Sequence, residues 1–506
     1  MHPGTGLRPR SERVRALLFA LLLLLPIIGR ADASEAKRPI THEALWLLKQ
    51  VGAPAPSPDG RWVVLPVTEP AYDEKDEAAD LWLAPGDGSV PPRRLTAAKG
   101  KESSPAWSPD GTQLAFSAKR EGDEMAQIYV IALNGGEASR LTQLALGARA
   151  PKWSPDGKTL LFQAPVHRGA TNDATNKASA EERKKAKSKV RVYDGFPIRR
   201  WDKWMDDVQT HLFVMPAAGS APARDLLAGT KLVERSGFSG AFSEGASDDL
   251  QPAWTPDSQS VVFTATTNLN AAAHADVIHH LYEVNLAGGE PRSLTSGDVS
   301  HEKPAFSPDG QRICFTTTAD KGNYYALSRL AAVAWPWNGT VTSVAASFDR
   351  SVADFAFSPD SQTVYFSAED AGRIRVWSAP ARGGEARLAL DAPEGVWVSL
   401  SIPEKAANPL LFANWEAAHS PAETYRVELA KAQRTRLTSF NVATASSLDW
   451  APRISLPDSS LAGRMKKSET CEWPIKAIRE RCTSKQRSAC SMERTYSQIG
   501  SRGDAW

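Results

Sequence analysis

The sequence predicts an all-β fold, a seven-bladed β-propeller, and three features carry that prediction. A four-residue turn motif recurs at near-constant spacing, short alternating apolar runs follow each copy, and Gly-rich hairpins close the units. The motif is Ser57-Pro58-Asp59-Gly60, and it returns intact from Ser108, Ser154 and Ser307. Thr255-Pro256-Asp257-Ser258 and Ser358-Pro359-Asp360-Ser361 are degenerate copies, and Ser401-Ile402-Pro403-Glu404 is a weaker seventh. Successive starts lie 51, 46, 101, 52, 51 and 43 residues apart. A β-solenoid needs shorter and more uniform repeats. Units of about 40–50 residues holding several short strands each are propeller blades.

The elements follow in chain order. Arg8, Arg10, Arg13 and Arg15 precede an apolar run from Ala16 to Ile28, and Ala31-Asp32-Ala33 offers small residues for cleavage. Residues 1–33 therefore read as an export signal, with an apolar run too short to span a bilayer comfortably. The expected product is periplasmic or extracellular and free of the membrane after cleavage. The propeller is expected over residues 39–450. In each unit an aromatic often precedes the tetrad, as in Trp107, Trp153, Trp254, Phe306 and Phe357. Within the tetrad Pro presets φ, Asp bonds nearby backbone and Gly accepts φ > 0. Alternating runs such as Gln113-Leu114-Ala115-Phe116 and Thr363-Val364-Tyr365-Phe366 then read as strands with a buried face. A further strand follows, for instance Ile128-Tyr129-Val130 or Leu212-Phe213-Val214, and hairpins such as Gly135-Gly136 and Gly288-Gly289 lead to closing strands of the Arg140-Leu141-Thr142 kind.

Composition narrows the function classes. Hydrophobic residues make up 42% and charged residues 23% of the 506, the mix of a folded protein. Sixty basic against 58 acidic residues leave a net charge of +2, so no bulk field draws nucleic acid to the chain. Packing between blades accounts for most of the 16 tryptophans, and the tetrad aspartates are turn residues before they are calcium ligands. No cofactor or metal is expected. Four cysteines exclude a disulfide scaffold, and Cys314, within Ile313-Cys314-Phe315, reads as a small buried hydrophobe. His274, His279 and His280 read as solvated loop histidines.

The long gap in the repeat is an insertion at 166–208 in the third blade. Its first half, Lys177 to Arg191, is a Lys/Glu/Ala run that reads as a solvated helix or a mobile loop. Its second half runs from Val192 to Asp207 and holds two Trp, two Arg and four Asp in 16 residues. That is a binding-type composition on a long loop. A structural plug that packs Trp201 and Trp204 on the propeller face is an equal reading. Arg200, Trp201, Asp202, Trp204, Asp206 and Asp207 are the candidate binding or gating residues.

At these residues the chain resembles a known family. Tetrad repeats with an aromatic-Arg-Trp-Asp-x-Trp insertion in the third blade look like the N-terminal propeller of S9 (prolyl oligopeptidase) serine peptidases, in the acylaminoacyl-peptidase and dipeptidyl-peptidase 5 branch. Ala44-Leu45-Trp46-Leu47-Leu48-Lys49-Gln50-Val51 and Ser347-Phe348-Asp349-Arg350 fit that branch, from about residue 39 to 450. Arg200 departs from it, since a His commonly stands before the Trp. The tetrads alone are shared with TolB-like and WD40-like propellers, so a free-standing propeller that binds protein or peptide is the alternative. The resemblance implies a propeller that gates peptide access to a C-terminal α/β-hydrolase domain. It also implies that Asp202, Asp206 or Asp207 pairs with a substrate ammonium and that Trp201 or Trp204 lines the way in.

The catalytic parts of such an enzyme do not follow. A Gly-x-Ser-x-Gly elbow is required, with an Asp and a His after it, and the 506 residues contain no such motif. Gly237-Phe238-Ser239-Gly240 comes nearest and sits inside the repeats. The 56 residues from Ala451 to Trp506 contain no His and carry 11 basic against 6 acidic residues. Cys471, Cys482 and Cys490 match no zinc spacing. The expectation is a hydrolase domain absent from this chain, with 451–506 out of frame, or else a short form with a disordered tail. No catalytic residue is assigned.

Overall fold

The computed structural model describes residues 37–450, apart from 74, 187–189, 192, 194–195, 201–202, 206, 243–247 and 320–325. The chain divides into two units, Met1–Trp450 and Ala451–Trp506, and the described residues all belong to the first. The export signal read at 1–33 and the tail 451–506 lie outside the described residues.

Alternating apolar runs become antiparallel strands that meander in fours, each strand pairing with the next in sequence. Ser300–Phe306, Arg312–Thr318, Arg329–Ala334 and Thr342–Val344 form one such sheet. Val352–Phe357, Thr363–Asp370, Arg373–Pro380 and Arg387–Leu390 form the next, and Val396–Ser401, Leu410–Ala417, Ser420–Glu428 and Gln433–Arg436 the last. The first two meanders run on as one nine-stranded sheet, because Ala79 pairs in parallel with Lys101. This is the mostly β architecture of stacked sheets that the repeat predicts.

Each sheet is buried on both faces by its neighbours, so its second strand is apolar almost throughout. Phe116, Phe162, Phe263, Phe315 and Phe366 take the same place in successive sheets, packed on the preceding sheet, while Phe412 of the last sheet faces the first; all six are fully buried. Between the sheets of the fourth and fifth tetrads, Val262, Leu281, Ile313, Phe315, Ala331 and Val333 interlock as one cluster. The tryptophans before the tetrads join sheets through their indole N–H groups. Trp107 donates to the Ala55 carbonyl at 2.8 Å, Trp153 to Ala106 at 3.0 Å and Trp254 to Lys152 at 3.2 Å.

The tetrads are self-satisfied turns. The Ser57 hydroxyl donates to Asp59 Oδ1 at 2.6 Å and accepts the Trp62 amide at 3.0 Å, while Asp59 Oδ1 accepts the Arg61 amide at 3.1 Å. The hydroxyl–carboxylate bond recurs from Ser108, Ser154, Thr255, Ser307 and Ser358. The bond from Ser154, reinforced by the Lys158 amide, holds the Asp156 carboxyl below its ordinary range against the opposing effect of burial. The fourth position of the first six tetrads has positive φ: +69° at Gly310, and +60° and +62° where Ser258 and Ser361 replace Gly. A left-handed L-residue costs about 1–2 kcal/mol. Ser258 and Ser361 offset part of this by accepting, through Oγ, the Asp156 amide (3.1 Å) and the Asp309 amide (2.9 Å) of the preceding turn.

Neighbouring turns also touch through Gly and Pro. A Cβ on Gly111 would meet Pro58, one on Gly157 Pro109, one on Gly310 Pro256, and one on Gly60 Pro403. The last of these contacts brings the end of the repeat array onto its beginning. Further bonds hold that seam: Asn414 Nδ2 donates to the Val51 and Gly52 carbonyls at 3.1 and 2.9 Å, and Asn441 pairs with the Lys49 amide and carbonyl at 2.9 and 2.8 Å. Val63, Leu65, Val67, Phe412 and Leu437 share one core cluster across it. Arg38–Pro39 pairs in parallel with Leu448–Asp449. No strand is exchanged across the seam among the described residues, because the first and last meanders are each built of consecutive strands. The sequence alone does not reveal this joining.

Candidate functional site

The third meander departs from the pattern at one point. Thr159–His167 and Val208–Pro216 pair without interruption from Thr159↔Pro216 to His167↔Val208. The turn Ser154–Gly157 precedes this ladder and residues 168–207 leave it at the other end, roughly 27 Å away at the usual strand rise. The insertion therefore stands on the end of the sheet remote from the tetrads.

Its first half is a docked helix, Asp173–Lys185, starting earlier than the Lys/Glu/Ala run suggests. Asn172 caps it: the Thr175 amide donates to Asn172 Oδ1 at 2.9 Å, and the Asn172 amide donates back to Thr175 Oγ1 at 3.2 Å. The helix is polar nearly all round, so apolar packing cannot hold it. Asn176, its buried residue, takes the His167 amide at 2.8 Å and donates to the Pro165 carbonyl at 3.1 Å. The Asp173 carboxylate accepts the Ala145 amide of the neighbouring meander at 3.0 Å.

An ion-pair node ties the insertion's two ends together. Asp207 Oδ2 lies 2.8 Å from an Arg183 guanidinium nitrogen, and Asp207 Oδ1 lies 3.4 Å from Arg168 Nε. Of the candidate residues, Asp207 is thus already paired twice with cations of its own chain. Arg200 and Lys203 pair in register across a short hairpin, Arg199–Arg200 with Lys203–Trp204, which the Met205 amide extends by donating to the Ile198 carbonyl at 3.1 Å. Trp204 is 51% exposed and stacks on Tyr193 with ring centroids 6.3 Å apart. Phe196 and Ile198 are exposed as well. Trp201, Asp202 and Asp206 lie outside the described residues. Sequence reading missed Arg168, Arg183 and Tyr193, whose partners lie up to 68 positions away and leave no local pattern.

The histidines need a correction. Of His274, His279 and His280, only His274 sits exposed in a loop. His279 and His280 begin the strand His279–Asn285, where His279 pairs with Thr266, and the first strand of the next sheet covers them. His279 Nδ1 is 3.0 Å from Glu302 Oε1. Burial pushes the Glu302 carboxyl up, but the His279 bond together with the charges of His279 and Lys303 outweighs it and lowers the carboxyl from its ordinary value. Burial, with His280 centred 6.1 Å away, pushes His301 down to about 4. Among the described residues, no group of three or more His, Cys, Asp or Glu is arranged to hold a metal ion.

Comparison with known proteins agrees with this architecture. The sequence profile of the Tricorn protease N-terminal beta propeller domain matches residues 76–192. Dipeptidyl-peptidase 5 of Porphyromonas gingivalis is 25% identical over 441 residues, which cover 87% of this chain and 61% of that protein. Over its propeller portion, this chain is a homologue of S9-family peptidases. It spans about three-fifths of the length of the Porphyromonas gingivalis enzyme. Among solved structures, an acylaminoacyl peptidase in complex with Z-Gly-Gly-Phe-chloromethyl ketone superposes with a TM-score of 0.59 at 18% identity, over 81% of this chain and 56% of that one. The β-propeller domain of the Trilobed protease from Pyrococcus furiosus, described as having an open velcro topology, gives 0.51 at 14% identity over 78% of this chain and 99% of that one. At these identities the structural matches speak for the fold alone.

Proposed function

We propose that residues 39–450 are the seven-bladed propeller of an exported S9-type serine peptidase of dipeptidyl- or acylaminoacyl-peptidase type, and that the propeller limits which peptides reach the hydrolytic centre. The observation that carries this reading is the 441-residue similarity to dipeptidyl-peptidase 5, which covers 87% of this chain. The Gly60–Pro403 contact, which joins the weak seventh tetrad to the first, supports the count of seven. Residues 1–33 supply the export signal in this reading, and the periplasm or the cell exterior is the destination. Peptide-bond hydrolysis is assigned to an α/β-hydrolase domain of the family kind, for which the remaining two-fifths of the Porphyromonas gingivalis enzyme provides the length. The insertion on the tetrad-remote end is the gating element, and Trp204, exposed over Tyr193, is its described contact surface.

A chimera tests the proposal. Residues 37–450 replace the propeller of dipeptidyl-peptidase 5, and cleavage of short peptides is compared with that of an unfolded protein. Retained peptide cleavage with the protein refused is the expected result. A chimera that digests both equally, though folded by circular dichroism, refutes the gating role.

A further inference from the structure

The geometry points to an insertion that receives the anionic part of a peptide, an acidic side chain or a terminal carboxylate, rather than an ammonium group. This rests on the proposed peptide-gating role and assigns the sign of charge that the gate prefers. It reverses the pairing implied by family resemblance, in which Asp202, Asp206 or Asp207 meets the substrate ammonium.

Three observations converge. First, Asp207 is committed: Arg183 at 2.8 Å and Arg168 at 3.4 Å both face its carboxylate. One anion between two guanidinium groups leaves a node of net positive charge, which repels a further cation. Second, residues 168–207 carry 11 Lys and Arg against 7 Asp and Glu, a net of +4 within a chain whose total is +2. Within residues 39–450 the positive charge of this segment stands against a net negative remainder. Third, the hairpin presents a cation beside apolar surface. Arg199 is exposed, sits in register opposite Trp204, and makes no ion pair among the described residues. Exposed Phe196 and Ile198 precede it in sequence, and Trp204 lies over Tyr193. An unpaired guanidinium next to exposed aromatic rings fits a carboxylate flanked by an apolar side chain, since Arg binds carboxylates through a planar two-pronged donor set. The occupant this surface fits is an acidic, apolar-bearing peptide.

The test uses the full chain and three fluorescein-labelled hexapeptides of identical apolar sequence, one with two Glu, one with two Lys and one with two Gln. Fluorescence anisotropy gives affinity at 50 and 500 mM NaCl. The Glu peptide should bind at least tenfold more tightly than the Lys peptide, and its advantage should fall severalfold at high salt. R199E should weaken the Glu peptide at least fivefold and narrow the gap to the Lys peptide. R382E, on an exposed hairpin turn of the sixth meander, should leave both unchanged. Thermal melts by circular dichroism confirm that the variants fold, and R199Q serves if R199E does not. Equal affinity for all three peptides, or a preference for Lys, overturns the charge assignment while leaving peptide binding intact. No binding of any peptide overturns both this inference and the gating role on which it rests.

Discussion

At the tetrad end of the sheets, six turns repeat one hydrogen-bond pattern and touch their neighbours through Gly–Pro or Ser–Asp contacts. At the opposite end the third sheet sends out 40 residues held by Asp207, Asp173 and Asn176, with no counterpart of the same length in the other meanders. The first end is built from bonds that each turn makes within itself, so any copy of the tetrad folds the same way. The second depends on contacts between distant positions and repeats nowhere. Order that recurs holds the ring, and the part that does not recur is where we propose recognition.

Breaking the shared core tests the first half of that contrast hardest. Phe315 is fully buried between two sheets, and Phe315→Ala should cost about 3–5 kcal/mol in chemical denaturation. A loss below about 1 kcal/mol would mean that the sheets do not lean on one another as the clusters indicate. The turn ring comes next. Gly310→Ala places a Cβ 2.8 Å from the Pro256 Cβ at a φ of +69°, whereas Gly122→Ala has a φ of +88° and open space around it. Both incur the left-handed penalty of about 1–2 kcal/mol, and Gly310→Ala should exceed Gly122→Ala by a further 1 kcal/mol or so for the collision. Equal losses would show that the turns do not brace each other.

Acid sharpens the comparison at the other end. His301 takes up its proton near 6.5 when unfolded and near 4 in the fold. The unfolded chain therefore binds the proton first, and stability declines as pH falls from about 6.5 to 4, with no change from this group above that window. His301→Gln should remove about 1–2 kcal/mol of that decline after allowance for solvent screening, seen as a flatter plot of unfolding free energy against pH. An identical slope in the variant would remove His301 from the account. The smallest effect belongs to the node. Asp207 and its two arginines are about half exposed, so Asp207→Asn should change stability by at most about 1 kcal/mol, and 1 M NaCl should erase the difference. A larger, salt-independent loss would mean that the node supports the sheet itself.

Much of the fold was legible because its causes are local. Ser, Pro, Asp and Gly at fixed spacing dictate a turn with no help from the rest of the chain, and alternating apolar residues dictate the strands beside it. The insertion announced itself as a 101-residue gap between tetrads. What the sequence hid was set by encounters across long separations. Arg168 and Arg183 reach Asp207 over 39 and 24 positions, and Asn414 meets Val51 over 363. His279 and His280 looked like loop residues because the strand that covers them, Ser300–Phe306, begins 20 positions after His280. For the candidate site, residue types and placement were readable. The pairing of Asp207 with Arg183 and Arg168 was not.

The joining of the first and last sheets has a consequence for ancestry. Six of the turns carry a Gly or Ser that faces the previous copy, and Pro58, Pro109, Pro256 and Pro403 face the next one, so most stretches of about fifty codons encode a sheet together with its side of the turn contact. A ring closed by sharing a strand would fix which unit is first and which is last. Here a duplicated unit slipped between two neighbours that share this contact meets a fitting surface on either side, so growth by tandem copying needs no new interface.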